Sequence, residues 1–447
     1  MNRPGIGILV LVLFVLAAPA AGQNKRLSID HADYSEIVFS KVEGEPDTLY
    51  YGGSVVARSQ TSTVYCDTAV IAIGESALLK GRVIIEDEEY RLAADDSVRY
   101  DLGTGKARAY GGYFQLFSAE DSLMAVGTNA YFDRDREYFY MLDRPTVYLN
   151  YPDTAAMVEV IANIVQYDAA TERAEAEGAV RISSSDINSS SDCAILRPKD
   201  NALDLFGSPS VIRDRSEISG SFIAMSFGTK AVERVDVVDS AYAEFVEPTD
   251  TTEEHFDRSI LSGERLVLLF AEGELASAVC RGQAYSWYFP YAEPGADEVQ
   301  NEVSGDSIHF AINQNALMSV DVVGGAIGSY LTTRRKMEDS VVTEITDTID
   351  YRAQHITYAL NDSMITLQSG AETKSGTMQL AAHRVELDTR TKVVEAFAGE
   401  LPEDTALVDS LFLPELRPSQ VPVVLMDAKD TLFGDYLEYS IDTEKGR

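Results

Sequence analysis

Leu92-Ala93-Ala94-Asp95-Asp96-Ser97-Val98-Arg99-Tyr100-Asp101-Leu102-Gly103-Thr104-Gly105-Lys106-Ala107-Arg108-Ala109-Tyr110-Gly111 decides the fold. Apolar and polar side chains alternate on both sides of a turn carrying Asp101, Gly103 and Gly105, the pattern of two half-buried strands joined by a reversal. The same phrase returns from Tyr167-Asp168 through Ala174-Glu175-Ala176-Glu177-Gly178. Its kernel is a small residue, an apolar residue three positions on and another five positions on. Eleven copies begin at Cys66, Asp95, Gly127, Ala162, Ser191, Gly220, Gly263, Gly305, Ala353, Ala382 and Gly434, with Asp95 the misfit among them.

The apolar pairs are Ala69/Ile71, Val98/Tyr100, Ala130/Phe132, Val165/Tyr167, Ala194/Leu196, Ile223/Met225, Leu266/Leu268, Ile308/Phe310, Ile356/Tyr358, Val385/Leu387 and Leu437/Tyr439. Most copies close on a glycine 15 to 19 residues after the small residue: Gly81, Gly111, Gly178, Gly207, Gly282, Gly324, Gly370 and Gly399. The copies opened by Gly127 and Gly220 lack it. Self-similarity at about 30 residues marks an array whose units bury their apolar faces by stacking on one another. The predicted fold is all-β, a solenoid-like stack of two-strand antiparallel units with no capped helix of three turns. Asp101, Asp168, Asp388 and Asp442 open the expected turns.

Copies are spaced by about 28 to 35 residues as far as Gly220 and mostly by 42 to 52 beyond it. Polar inserts at 247–258, 293–302, 334–350 and 401–421 account for the difference and read as surface loops. The expected organisation is a signal peptide at 1–22, an N-terminal segment at 23–44, one β-repeat domain at 45–246, a linker at 247–258 and a second domain of the same type at 259–447, whose final unit is cut short.

Arg3 precedes an apolar run from 6 to 18 that ends in small residues, the signature of a secretory signal peptide. The run is too short for a membrane span of about 20 residues. Cys66, Cys193 and Cys280 fall in different units and read as small buried thiols, not as disulfide partners. The chain has 72 acidic and 37 basic residues and a net charge of −35, which excludes nucleic acid as a partner. Hydrophobic content of 45% separates it from acidic disordered chains.

The strings Leu92 to Asp101, Gly105 to Gly111 and Tyr167 to Val180 resemble the OstA/LptA-like family of lipopolysaccharide-transport proteins, which includes the N-terminal domain of the translocon LptD and the periplasmic part of LptC. The likeness is good over 45–245 and looser over 259–447. It implies a β-jellyroll of two antiparallel sheets bent into a V, acyl chains held between the sheets with sugars outside, a periplasmic location and end-to-end strand pairing with other domains of the family. The implied ligand is lipopolysaccharide or another acylated glycolipid. The expected lipid-facing residues are the bulkiest apolar pairs: Ile223, Met225, Leu266, Leu268, Ile308, Phe310, Ile356 and Tyr358. The same residues would fill the packed interior of a structural or adhesive envelope protein, which is the alternative reading. A carbohydrate-active β-helix enzyme would need carboxylates on successive units at one register. The polar positions vary too much to supply them, and there is no Ser/His/Asp set, phosphate loop or metal motif. The expectation is a non-enzyme without a cofactor.

Overall fold

A computed structural model describes residues 28–400 and 420–446 apart from short breaks, the longest at 150–156 and 249–254. The signal sequence at 1–22, the insert at 401–419 and the turn at 442–444 lie outside the described residues. Among the described residues everything regular is antiparallel strand except a single 3₁₀ turn at Pro198–Asp200. The all-β, repetitive antiparallel class read from the sequence is therefore the observed one. Two compact units divide the chain, one made of 1–214 with 222–230 and the other of 215–221 with 231–447.

Each unit consists of two ladders, and the sequence kernel explains why. In a copy the small residue sits at a bend. The strand after it joins the first ladder, and the strand before it joins the second. In the first unit, 97–101 pairs with 76–80 and 106–110, while 90–94 pairs with 83–86 and 114–118. In the second unit single long strands cross the bend, as in Phe256–Ala271, Glu274–Phe289 and Val341–Ala359, and their registers shift there. A chain passing from one ladder to the next needs that irregularity, because an unbroken register would keep it in one sheet.

The bend demands small residues for a visible reason. A Cβ on Gly263 would lie 2.6 Å from Cys280 Sγ, one on Gly220 2.5 Å from Val237 Cγ1, and one on Gly305 2.8 Å from Val322 Cγ1. In each case the first wall residue of the following strand covers the bend. Seven of the eight closing glycines, all but Gly399, take left-handed dihedrals, with φ of 67° at Gly81, 76° at Gly178 and 76° at Gly282. The space left by the missing side chain is taken by the residue after the small position of the previous strand: Asp67 over Gly81, Asp96 over Gly111, Asp192 over Gly207, Glu264 over Gly282 and Asp306 over Gly324.

The two copies without a closing glycine close in the same conformation with other residues. Asp143 and Arg144 have φ of 64° and 62°, and Asp239 and Ser240 have 57° and 53°. Aspartate tolerates the left-handed region better than most residues, so the backbone signal persists where the glycine does not. The expected turns form as side-chain caps. Asp168 Oδ1 accepts from the N–H of Ala170 at 3.0 Å and of Thr171 at 3.3 Å, and Asp388 Oδ1 from Arg390 and Thr391 at 2.8 and 3.0 Å.

Three inserts depart from the expectation: 298–302 belongs to the strand Glu298–Asn313, 247–248 and 256–258 are the ends of the strands Val232–Pro248 and Phe256–Ala271, and 334–350 departs most. The stretch at 334–350 is not a loop: 334–338 and 341–350 extend a hairpin, with Arg334 opposite Ile345 and Glu338 opposite Val341. Alternating Val341, Thr343, Ile345 and Ile349 are β-branched, and strand propensity prevails over polarity.

Candidate functional site

The kernel's apolar pairs become two rows that run across the strands of each first ladder. In the first unit the row nearest the bend is Ala69, Leu79, Val98, Ala109, Ala130, Met141, Val165, Ala176, Ala194, Leu205 and Ile223, each directly opposite the next. In the second unit it is Val237, Leu266, Cys280, Ile308, Val322, Ile356, Leu367, Val385, Ala396 and Leu437. The second pair members form the next row out, including Tyr100, Phe132, Tyr167 and Met225 in one unit and Leu268, Phe310 and Tyr358 in the other. Period-two alternation puts both rows on one face.

The second ladder supplies the facing wall. In the first unit Ala57, Val64, Ile85, Leu116, Leu123, Ala125 and Val147 pack in one cluster with Ala69, Leu79, Val98, Ala109, Ala130 and Met141. The walls therefore meet near the bend. All eight expected lipid-facing residues are buried, with Ile223, Leu266, Leu268, Ile308 and Ile356 at 0% exposure. Within these rows of the first unit some inward side chains are less covered: Tyr100, Phe139 and Leu196 on the first wall share a row with buried Phe132 and Tyr167, and Leu92, Leu149 and Val160 on the second share rows with buried Leu116, Leu123 and Val147, yet all six are half-buried. Apolar surface is therefore reachable at separate places in the first unit, while the rows of the second unit are closed, with Leu268, Phe310 and Tyr358 buried.

The facing wall of the second unit is less apolar. The row Leu261, Ser286, Val303, Gly328, Tyr351, Thr373 and Leu380 carries hydroxyls at three places. Tyr358 on the first wall donates to Tyr351 Oη at 2.6 Å, and Tyr351 donates to Asn301 Oδ1 at 2.5 Å. Burial pushes the Tyr358 hydroxyl up to about 12 and that of Tyr351 further up, so both keep their protons.

Among the described residues no three His, Cys, Asp or Glu side chains converge on a metal position. His309 meets Ser277 Oγ at 3.0 Å, and His355 Nε2 lies 3.4 Å from Asp321 Oδ1 and 3.2 Å from Thr357 Oγ1, whose hydroxyl donates to Asp321 Oδ1 at 2.9 Å, so all three side chains share one small cluster. The carboxylates over the closing glycines do form a partial ladder at one register, interrupted by Thr128, Asn163 and Ser221. The sequence reading missed it, although an acidic residue directly after Cys66, Asp95, Ser191, Gly263 and Gly305 was the signal. Each carboxylate fills a glycine's empty side-chain space, which is a packing role.

All three cysteines are free. Cys66 and Cys280 are buried as expected, but Cys193 is half-buried on the outer face, where its thiol meets Glu175 Oε1 at 3.7 Å. Inward positions of that strand are Ala194 and Leu196, so a residue two after the small position faces out. Burial, with Asp67 adding to it at Cys66 and Glu175 at Cys193, raises all three thiols to about 11.

Apolar side chains are also exposed at both termini of the strand series. Tyr34–Val38 pairs with Thr48–Arg58, and Tyr34, Ile37, Val38 and Phe39 are exposed. Asp430–Gly434 pairs with Val423–Asp427, and Leu432 and Phe433 are exposed, as is Tyr436 just beyond. Arg91, Ala93, Gln115 and Phe117 line a hollow of 230 Å³ on the outer face of the first unit's second ladder.

No protein-family model and no curated protein matches this sequence. Among solved structures the chain is similar to the crystal structure of LptH from Pseudomonas aeruginosa, described as the LptA-homologous periplasmic component of the conserved lipopolysaccharide transport device. Identity is 16%, the TM-score is 0.19, and the match covers 33% of this chain and 83% of that one. Likeness at that level assigns no activity, so the functional argument rests on the walls themselves.

Proposed function

We propose that this protein is an exported, non-catalytic lipid-binding component that holds the acyl chains of lipopolysaccharide or a related glycolipid between its two β walls and passes them toward the outer membrane. The observation that carries this is the pair of apolar rows running across successive strands of each unit, with half-buried apolar side chains interspersed among them in the first unit. Neighbouring levels of such rows are nearly equivalent, so a chain can step along them without a large barrier. Each CH₂ removed from water contributes about 0.8 kcal/mol. Entry requires the two walls to part, because Leu268 and Phe310 are at 0% and 6% exposure. The net charge of −35 repels an anionic headgroup, and divalent cations would screen or bridge it. The exposed strands at Tyr34–Val38 and Asp430–Gly434 suit strand addition by another domain of the same kind.

Complete burial of Leu266, Ile308 and Ile356 favours a second reading, a structural β-repeat protein of the envelope whose interior is simply packed. One experiment separates the two. A photo-crosslinking residue at Leu268 or Phe310, activated in cells, should capture an acylated species, and mass spectrometry of gently extracted protein should find the same species. If neither does, the interior is filling only and the lipid reading is wrong.

A further inference from the structure

Tyr351 and Tyr358 lie on the same strand, Val341–Ala359, on opposite sides of its bend. The bend therefore places them on opposite walls. Tyr351 stands directly across from Gly328, and a Cβ on that glycine would lie 2.3 Å from Cε2 and 2.4 Å from both Cζ and the hydroxyl oxygen of the phenol. The ring thus lies flat on bare backbone, in a seat that any side chain at 328 would fill. From there its hydroxyl reaches Asn301 Oδ1 at 2.5 Å and the Glu302 carbonyl at 3.3 Å, and it accepts from Tyr358 at 2.6 Å. The two rings stand edge to face with centroids 6.5 Å apart. Both residues are nearly inaccessible, at 8% and 7% exposure.

A hydroxyl pair buried between apolar rows is a specific connection, because separating it leaves polar groups without water or a partner. The row that contains Tyr358 places Phe310 on one side of it and Leu387 on the other. We propose that the Tyr351–Tyr358 pair is a polar latch joining the two walls of the second unit, and that it stops a hydrocarbon chain from sliding between the Phe310 and Leu387 levels until it opens. This rests on the lipid-binding reading above. The latch makes that path a gated step in an otherwise even series.

The test uses the full-length protein carrying a photo-crosslinking residue at Phe310 or, separately, at Leu387, incubated with radiolabelled lipopolysaccharide. Captured label is compared between the two positions in the wild-type background and in Tyr358→Phe, which removes the wall-to-wall bond and leaves Tyr351 bonded to Asn301. Tyr351→Phe serves as the second variant, and circular dichroism checks that each is folded. The wild type should label the two levels unequally, by about fivefold or more, and Tyr358→Phe should bring them within about twofold. Equal labelling in the wild type, or an unchanged ratio in both variants, overturns the latch while leaving lipid binding intact. No label at either level overturns lipid binding, and the latch falls with it.

Discussion

Replacing Gly263 with alanine tests whether the small position is set by packing at the bend. An added Cβ would lie 2.6 Å from Cys280 Sγ, 3.0 Å from the Gly282 carbonyl oxygen and 3.1 Å from that of Arg281. The sulfur belongs to a wall residue at 0% exposure, so it has nowhere to turn, and the carbonyls belong to the paired neighbouring strand. Overpacking of this kind costs about 1–3 kcal/mol, and a value near ~2 is expected for Gly263→Ala. Cys280→Ala removes the sulfur but not the carbonyls, and alone should cost about 1 kcal/mol for the lost buried atom. In the double variant the sulfur clash is gone and the backbone contacts remain. Its destabilisation should therefore fall short of the sum by about 1 kcal/mol, within the range for residues in contact. Urea unfolding followed by far-ultraviolet circular dichroism reads this from the midpoints, provided the slopes agree. Additivity within about 0.3 kcal/mol would refute the reasoning, because the sulfur would then not be what keeps residue 263 small.

Two further outcomes follow from the geometry. Asp239 holds a left-handed dihedral at φ 57°, so Asp239→Gly should leave the urea midpoint unchanged or raise it, whereas the β-branched Asp239→Val should cost about 2 kcal/mol. Equal loss in both variants would mean that the aspartate side chain, not the backbone, matters there. The three thiols titrate near 11 when folded against an ordinary 9.0, so the folded state keeps protons that the unfolded state releases. Their contribution is whole below pH 9 and is lost as pH rises toward 11, which a series of urea midpoints from pH 8 to pH 11 would reveal. The triple Cys→Ala variant should lose less stability over that range than the wild type.

The ladders were legible in the sequence because two physical requirements repeat together. Wall residues must alternate, and the bend must be bare, so Gly263, Leu266 and Leu268 announce both in six residues. What escaped reading has equally local causes. The bends at Asp143 and Asp239 carry no glycine, since aspartate also accepts the required dihedral. Cys193, expected as a buried thiol, is half-buried because counting by two from Ala194 and Leu196 turns it outward. The latch could not be foreseen: Tyr351 and Tyr358 are seven residues apart and of opposite parity, and only a bend between them lets both face inward.

The fixed bend and the variable strand tips have a consequence for how such a chain can change. The Ala316–Glu338 strand runs from its bend at 324–325 out to 338, whereas in the first unit the strand of the same ladder at Val83–Glu86 stops within a few residues of Gly81. Residues added at a tip extend one hairpin outward and disturb neither the register at the bend nor the adjacent layers. Added residues can therefore accumulate at hairpin ends one hairpin at a time, deepening chosen segments of the stack, while a single extra residue between a bend and its strand would turn that strand's wall residues outward.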